Sequence, residues 1–234
     1  MKVGILVPMA EEIGLYRQQL SAVETVEIGG ASFTIGSYQS IDLVLAQSGI
    51  GKVQAAMTAT VLCDHFQVDL IINSGSAAGV GAGLQVGELV IGDRLVYHDV
   101  DVVNGGDYVI GQVPNHDLYF QADQRLVKIV EAAAEQLDLK VVTGLIATGD
   151  QFVADPQRVT AIKADFPGVQ AVEMEGAAVA QIATNFDCPS LIIRAISDNG
   201  DDEASVSFDE FVVQAGRHAA QLLLLALPEM QKEI

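Results

Sequence analysis

Asp69-Leu70-Ile71-Ile72-Asn73-Ser74-Gly75-Ser76-Ala77-Ala78-Gly79 is the stretch that decides the fold. Asp69–Ser74 reads as a buried strand, and it ends abruptly in small and polar residues. Just upstream, Gly51–Phe66 has helical periodicity, with Val53, Ala56, Met57, Thr60 and Val61 on one face. Asp42–Ser48 before it reads as another strand. Strand, helix and strand in succession are the unit of an α/β fold. Working outward towards the start, Lys2–Pro8 reads as a strand, Met9–Leu20 as a helix and Val26–Ser37 as a hairpin around Gly29-Gly30. Towards the end, Glu88–Val103 is long and β-branched, Leu118–Leu137 helical, Val141–Thr148 a strand and Pro156–Asp165 a short helix. Val169–Met174 is a strand feeding the helix Gly176–Phe186, Pro189–Ser197 a buried strand, and Phe208–Leu227 a long helix. The expectation is an α/β sandwich around a largely central sheet. No Pro/Ser-rich linker, repeat or low-complexity segment divides residues 1–234, which read as one domain.

Half of the 234 residues are hydrophobic and 18% are charged, which excludes a disordered chain. No apolar run reaches the ~20 residues of a spanning helix, so no membrane partner is expected. The segment Met1–Pro8 runs straight into Glu11 and Glu12 and reads as a core strand of a cytoplasmic protein rather than a signal peptide. The net charge of −19 repels polyanions and argues against nucleic acid, favouring a neutral or zwitterionic small molecule. Cys63 and Cys188 sit in apolar contexts and read as buried free thiols. His65, His98, His116 and His218 lack ligand spacing, and Asp99 with Asp101 is a weak signal, so no metal is expected.

Three apolar strands end in residues that carry chemistry. Ile72-Asn73 leads into Ser74–Gly79, Thr148 into Gly149-Asp150-Gln151-Phe152, and Ile196 into Ser197-Asp198. Ligands of α/β sheets bind at such carboxyl ends, which marks one candidate cleft. Gly75–Gly83 lacks the Gly-Lys-Ser/Thr of a phosphate loop and the dinucleotide spacing. It reads either as a tight turn or as a loop whose amides and Ser76 line a small-molecule site. In Val172-Glu173-Met174-Glu175-Gly176, alternation puts the two glutamates on one side and Met174 on the other. A carboxylate there can grip sugar hydroxyls while the methionine packs on the ring; the alternative is a solvated, acidic helix start. Arg194 is the only basic residue in its apolar strand and must pair with a carboxylate, for which Glu175 is the candidate.

Met9-Ala10-Glu11-Glu12, Ser48–Val53, Asn73–Ala77, Thr148–Phe152, Ala171–Glu175, Arg194–Asp198 and Ser207–Phe211, in this order and spacing, resemble the bacterial methylthioadenosine/S-adenosylhomocysteine nucleosidases of the nucleoside phosphorylase superfamily. The resemblance implies a single-domain three-layer sandwich with a central mixed sheet flanked by helices, a homodimer, and no metal or organic cofactor. It implies hydrolysis of the N-glycosidic bond, with Asp198 as the acid at adenine N7, held by Ser197. Phe152 would stack on the purine, the Val153 backbone would read its edge, and Ala77 and Ala78 would lie against the substrate. Glu175 and Met174 would hold the ribose. Glu12 would orient or deprotonate the attacking water with help from Ser76, Arg194 and Glu175. Met9, Ile50 and Phe208 would line the 5′ pocket, completed by Pro114 from the partner subunit. The chain departs from the family at Ala78, often glycine, and in the loop Val103–Tyr108, where Tyr108 is a candidate to close the neighbouring pocket. Three rivals remain: a phosphorylase of the same superfamily, a non-enzymatic nucleoside-binding module, and a nucleosidase preferring aminodeoxyfutalosine.

Overall fold

The computed structural model describes every residue from Met1 to Ile234 apart from Ala22. Strand β1 (Lys2–Val7) lies between β4 (Ile41–Gln47) and β5 (Leu70–Gly79), parallel to both. Strands β2 (Ser21–Ile28) and β3 (Ala31–Tyr38) extend the sheet beyond β4 as an antiparallel hairpin. Its turn residues Gly29 and Gly30 have φ of 61° and 85°, the left-handed region that a two-residue hairpin loop demands. On its other edge β5 pairs in parallel with β10 (Ser190–Asp198), which runs antiparallel to β6 (Leu89–Tyr97). Next come β8 (Val141–Thr148) and β9 (Val169–Glu173), each parallel to its predecessor. Strand β9 then pairs antiparallel with the end of β5, through Ala78↔Val172 and Gly79↔Ala171. The mixed sheet therefore closes on itself over β5, β10, β6, β8 and β9.

Two cores make the three layers. Ile5, Ile72 and Ile193 point to one side, under α1 (Ala10–Gln19), α3 (Gln124–Gln136) and α6 (Ala204–Glu233). Their neighbours Leu6, Ile71 and Ile192 point to the other, under α2 (Lys52–Asp64) and α5 (Gly176–Asn185). Strands apolar at successive positions are what a sheet covered on both faces requires. Helix α4 (Pro156–Asp165) covers a third cluster that includes Val96, Leu145 and Val169.

Local differences from the expected elements have identifiable causes. The helix expected from Leu118 begins only at Gln124, where the Asp123 side chain caps it by accepting the Arg125 N–H at 2.8 Å. Phe120–Gln121 instead forms β7 against Arg94 and Leu95 of β6, burying the Phe120 ring. Strand β6 stops at Tyr97, well short of Val103. The last helix starts at Ala204, before Phe208. The inward face of α2 is Ala55, Thr58, Ala59 and Leu62, whereas Val53 is 78% exposed. Small side chains face inward there because α2 shares its core with the alanines of α5. Cys63 and Cys188 are free thiols, half-buried rather than fully buried. No helix of the described residues is long and apolar enough to cross a membrane.

Candidate active site

The loops after β1, β4, β8 and β9 and the ends of β5 and β10 converge on one cleft of about 540 Å³, counting its open mouth. At the end of β10 the register slips, so that Ile196 faces Ala77 but Asp198 faces Ala78. This bulge leaves Ser197 as the extra residue. The Asp198 carboxyl accepts the Gly200 N–H and the Ser197 hydroxyl, each at 2.9 Å. Burial raises its pKa above the usual carboxyl range; the two hydrogen bonds oppose this and Asp201 adds to it.

A second carboxyl stands on α1. Glu12 is 2% exposed, and its Oε1 accepts both the N–H and the hydroxyl of Ser76 at 2.7 Å. Burial raises its pKa, against the pull of Ser76 and Arg194. Beside it Arg194 is fully buried, and a Cβ on Gly75 would lie 2.8 Å from Arg194 Nη1 and 3.3 Å from Glu12 Oε1. Only glycine leaves that space open. Arg194 Nη1 has no protein partner.

Arg194 pairs with the expected Glu175, and more closely with Glu173. Its Nε donates to Glu173 Oε2 at 3.0 Å and its Nη2 bonds the same oxygen, while Glu175 Oε2 stands 3.5 Å away. Closure of the sheet brings Glu173 of β9 against Arg194 of β10, whereas Glu175 lies beyond the strand end. Glu173 also bonds Thr148 and accepts the Gly176 N–H at 2.8 Å, so it anchors the start of α5. Burial alone would lower the pKa of Arg194, but Glu173 and Glu175 more than offset it and the guanidinium stays charged. With its other oxygen Glu175 accepts the Gly51 N–H at 2.8 Å. Burial, then the neighbouring Glu173, pushes its pKa up to about 8.

The Phosphorylase superfamily model matches residues 2–228. The chain is 46% identical over 234 residues to a 5′-methylthioadenosine/S-adenosylhomocysteine nucleosidase of Geobacillus kaustophilus, covering 100% of this chain and 99% of that one. The chain belongs to this nucleosidase family. A nucleosidase of Streptococcus pneumoniae, solved with the transition-state inhibitor MT-ImmA, superposes with a TM-score of 0.93 at 48% identity, over 97% of this chain and 98% of that one. A futalosine hydrolase mutant of Helicobacter pylori superposes with a TM-score of 0.93 at 33% identity, over 98% and 99% of the two chains.

In this nucleosidase-family chain most of the residues singled out in the sequence share the one cleft. Met9 and Ile50 line it beside Ser76, Ala77 and Ala78. Phe152, Val153, Met174, Glu175, Ser197, Asp198 and Phe208 line the rest. Phe152 is 51% exposed and meets the Phe208 ring edge-on, centroids 5.8 Å apart. The early start of α6 sets Phe208 at the cleft. Glu12 and Arg194 stand behind the lining, reaching it through Ser76 and Glu175. Pro114 is exposed and lies outside the cleft of its own chain, as does Tyr108. Sequence reasoning passed over Asn73, whose Oδ1 accepts from Arg194 Nη2 at 2.5 Å. A lone amide in a buried apolar strand, close to an arginine in need of partners, was the available signal.

Proposed function

We propose that this chain hydrolyses the N-glycosidic bond of 5′-methylthioadenosine and S-adenosylhomocysteine, releasing adenine and the thioribose product. The observation that carries this reading is the pair of buried carboxyls, Asp198 and Glu12, held separately at one cleft and both with pKa values raised by burial. Adenine leaves readily only once N7 is protonated. Asp198 supplies that proton, and the sugar becomes oxocarbenium-like. Phe152 stacks on the purine and the Val153 backbone reads its edge, while Met9, Ile50 and Phe208 receive the 5′-thio group. Glu175 and Met174 hold the ribose. Glu12, with Ser76, Arg194 and Glu175, orients and deprotonates the water. A placed acid or base contributes ~10²–10⁴ in rate, and carboxylates beside the cationic sugar stabilise it further.

Water rather than phosphate suits the floor of the cleft. Its guanidinium already pairs with both Glu173 and Glu175, and the Glu12 carboxyl stands beside it, so a dianion would meet little uncompensated positive charge. In this reading the chain works in methionine salvage in the cytoplasm as a homodimer, with Pro114 and the Val103–Tyr108 loop reaching the neighbouring cleft. The exposed Val53 and Ile50 are consistent with an apolar partner surface. The test is chromatographic. The chain is incubated with methylthioadenosine, S-adenosylhomocysteine and aminodeoxyfutalosine, with and without phosphate. Free methylthioribose at an unchanged rate supports hydrolysis. A thioribose 1-phosphate product moves the chain to the phosphorylases, and turnover confined to aminodeoxyfutalosine changes the substrate.

A further inference from the structure

Two of the segments that line the cleft meet the end of β6 outside it. The Ser48–Gly51 turn carries Ile50, and the Gly149–Val153 loop carries Phe152 and Val153. Strand β6 ends at Tyr97, and two residues on the chain reaches Asp99. One side-chain cluster joins the three. Lys52, the first residue of α2, donates Nζ to Asp99 Oδ2 at 2.6 Å and its backbone N–H to Asp150 Oδ1 at 2.8 Å. The Asp150 N–H donates to the same Asp99 Oδ2 at 2.9 Å. Lys52 Nζ also stands 3.8 Å from Asp150 Oδ2 and 5.4 Å from the centroid of the Tyr97 ring. One residue earlier, Gly51 has a φ of 98° and donates its N–H to Glu175. A Cβ on Gly51 would lie 3.1 Å from Asp150 Oδ1, so the turn and the loop touch directly.

We infer that Lys52, Asp99 and Asp150 are positioning residues that hold the purine-side loop and the 5′-side turn in register, and through the Gly51 amide aim Glu175 at the ribose. This deepens the nucleosidase reading and rests on it. None of the three lines the cleft, so none is a substrate contact. An exposed ion pair would be worth little. This one is different, because the Asp99 side chain is only 15% exposed and its Oδ1 has no partner. Lys52 and the Asp150 amide together hold the Asp99 carboxyl below its usual range despite its burial. Without the Lys52 ammonium, the Asp99 charge is met by the Asp150 N–H alone, and the turn and the loop keep only the backbone contact from residue 52 to Asp150.

The groups so positioned bind purine, ribose and 5′ substituent in ground and transition states alike, so their loss falls on KM. The experiment compares wild type, Lys52→Met, Asp99→Asn and the double variant on methylthioadenosine, with melting temperatures alongside. Loss of a partly buried charge-assisted contact should raise KM about tenfold in each single variant. With kcat within about twofold, the double variant should be no worse than either single, as for groups acting as one unit. Adenine release by the wild type in the same assay reports on the nucleosidase reading, and its absence would remove that reading and this one together. Where the wild type turns over, an unchanged KM overturns the inference, whether or not the melting temperature falls. So does a fall in kcat alone, or additive losses in the double variant. Asp99→Asn keeps the test alive should Lys52→Met not fold.

Discussion

Asp198→Asn separates proton donation from everything else Asp198 does. In the wild type, Oδ1 accepts the Gly200 N–H and Oδ2 the Ser197 hydroxyl, both at 2.9 Å. An asparagine fits the same volume and keeps both contacts. Its carbonyl oxygen takes the Gly200 N–H. Its amide donates to Ser197 Oγ, whose proton remains free for the Ala77 carbonyl at 3.3 Å. The fold and the cleft should therefore persist. What disappears is the acid at N7, worth ~10²–10⁴ in rate, or about 3–5 kcal/mol of barrier. Adenine release by the variant is measured at saturating methylthioadenosine, and binding of a non-hydrolysable analogue by calorimetry. The expected outcome is a hundredfold or greater fall in kcat, of the order set by loss of a general acid, with the analogue still bound and the melting temperature at pH 7 not lowered. The wild-type rate should also fall as pH rises through the raised pKa of Asp198, since only the protonated form donates. Turnover within tenfold of wild type would refute the assignment. A loss accompanied by lost binding and a lowered melting temperature would show that Asp198 is structural instead.

Glu175 carries a folded pKa of about 8 against an ordinary 4.5. Its contribution to stability is therefore complete below about pH 4.5 and lost as pH rises through 8. Glu175→Gln should melt higher than wild type at pH 8, by a margin that vanishes near pH 4.5; equal differences at both pH values in calorimetry would contradict this. At Gly216 of α6, an added Cβ would lie 2.7 Å from Glu12 Cα. Gly216→Ala should push α1 outward at a cost of roughly 1–3 kcal/mol and pull Glu12 off Ser76; wild-type kinetics and melting temperature would count against that packing. Val53→Asp places a charge on the exposed face of α2. For the proposed homodimer, mass by light scattering and specific activity should fall together, and a fully active monomer would defeat the assembly.

Much of this molecule could be read from one dimension. Period and hydropathy are local properties, and they located most strands with a residue or two of slack, although β6 ended six residues before Val103 and β2 began five before Val26. They also showed that the chemistry-bearing residues Ser76, Phe152, Glu175 and Asp198 follow the carboxyl ends of apolar strands. The order and spacing of the motifs then identified the family. Other features were decided only by tertiary structure. Both faces of α2 carry apolar residues, and only packing against the alanines of α5 chose Ala55, Ala59 and Leu62 over Val53. Phe120 was drawn out of a helical pattern by an open edge of β6. The charge of Arg194 was legible as a demand for a carboxylate, and Glu175 meets it in part, but the closer partner, Glu173, was not legible. Glu173 and Glu175 are two residues apart and chemically alike, and only the return of β9 to β5 placed the first closest to the guanidinium and left the second shared between Arg194 and Gly51. Sequence reports what a residue requires; which neighbour meets the requirement depends on contacts between segments about a hundred positions apart, such as Gly51 and Glu175, which no local pattern encodes.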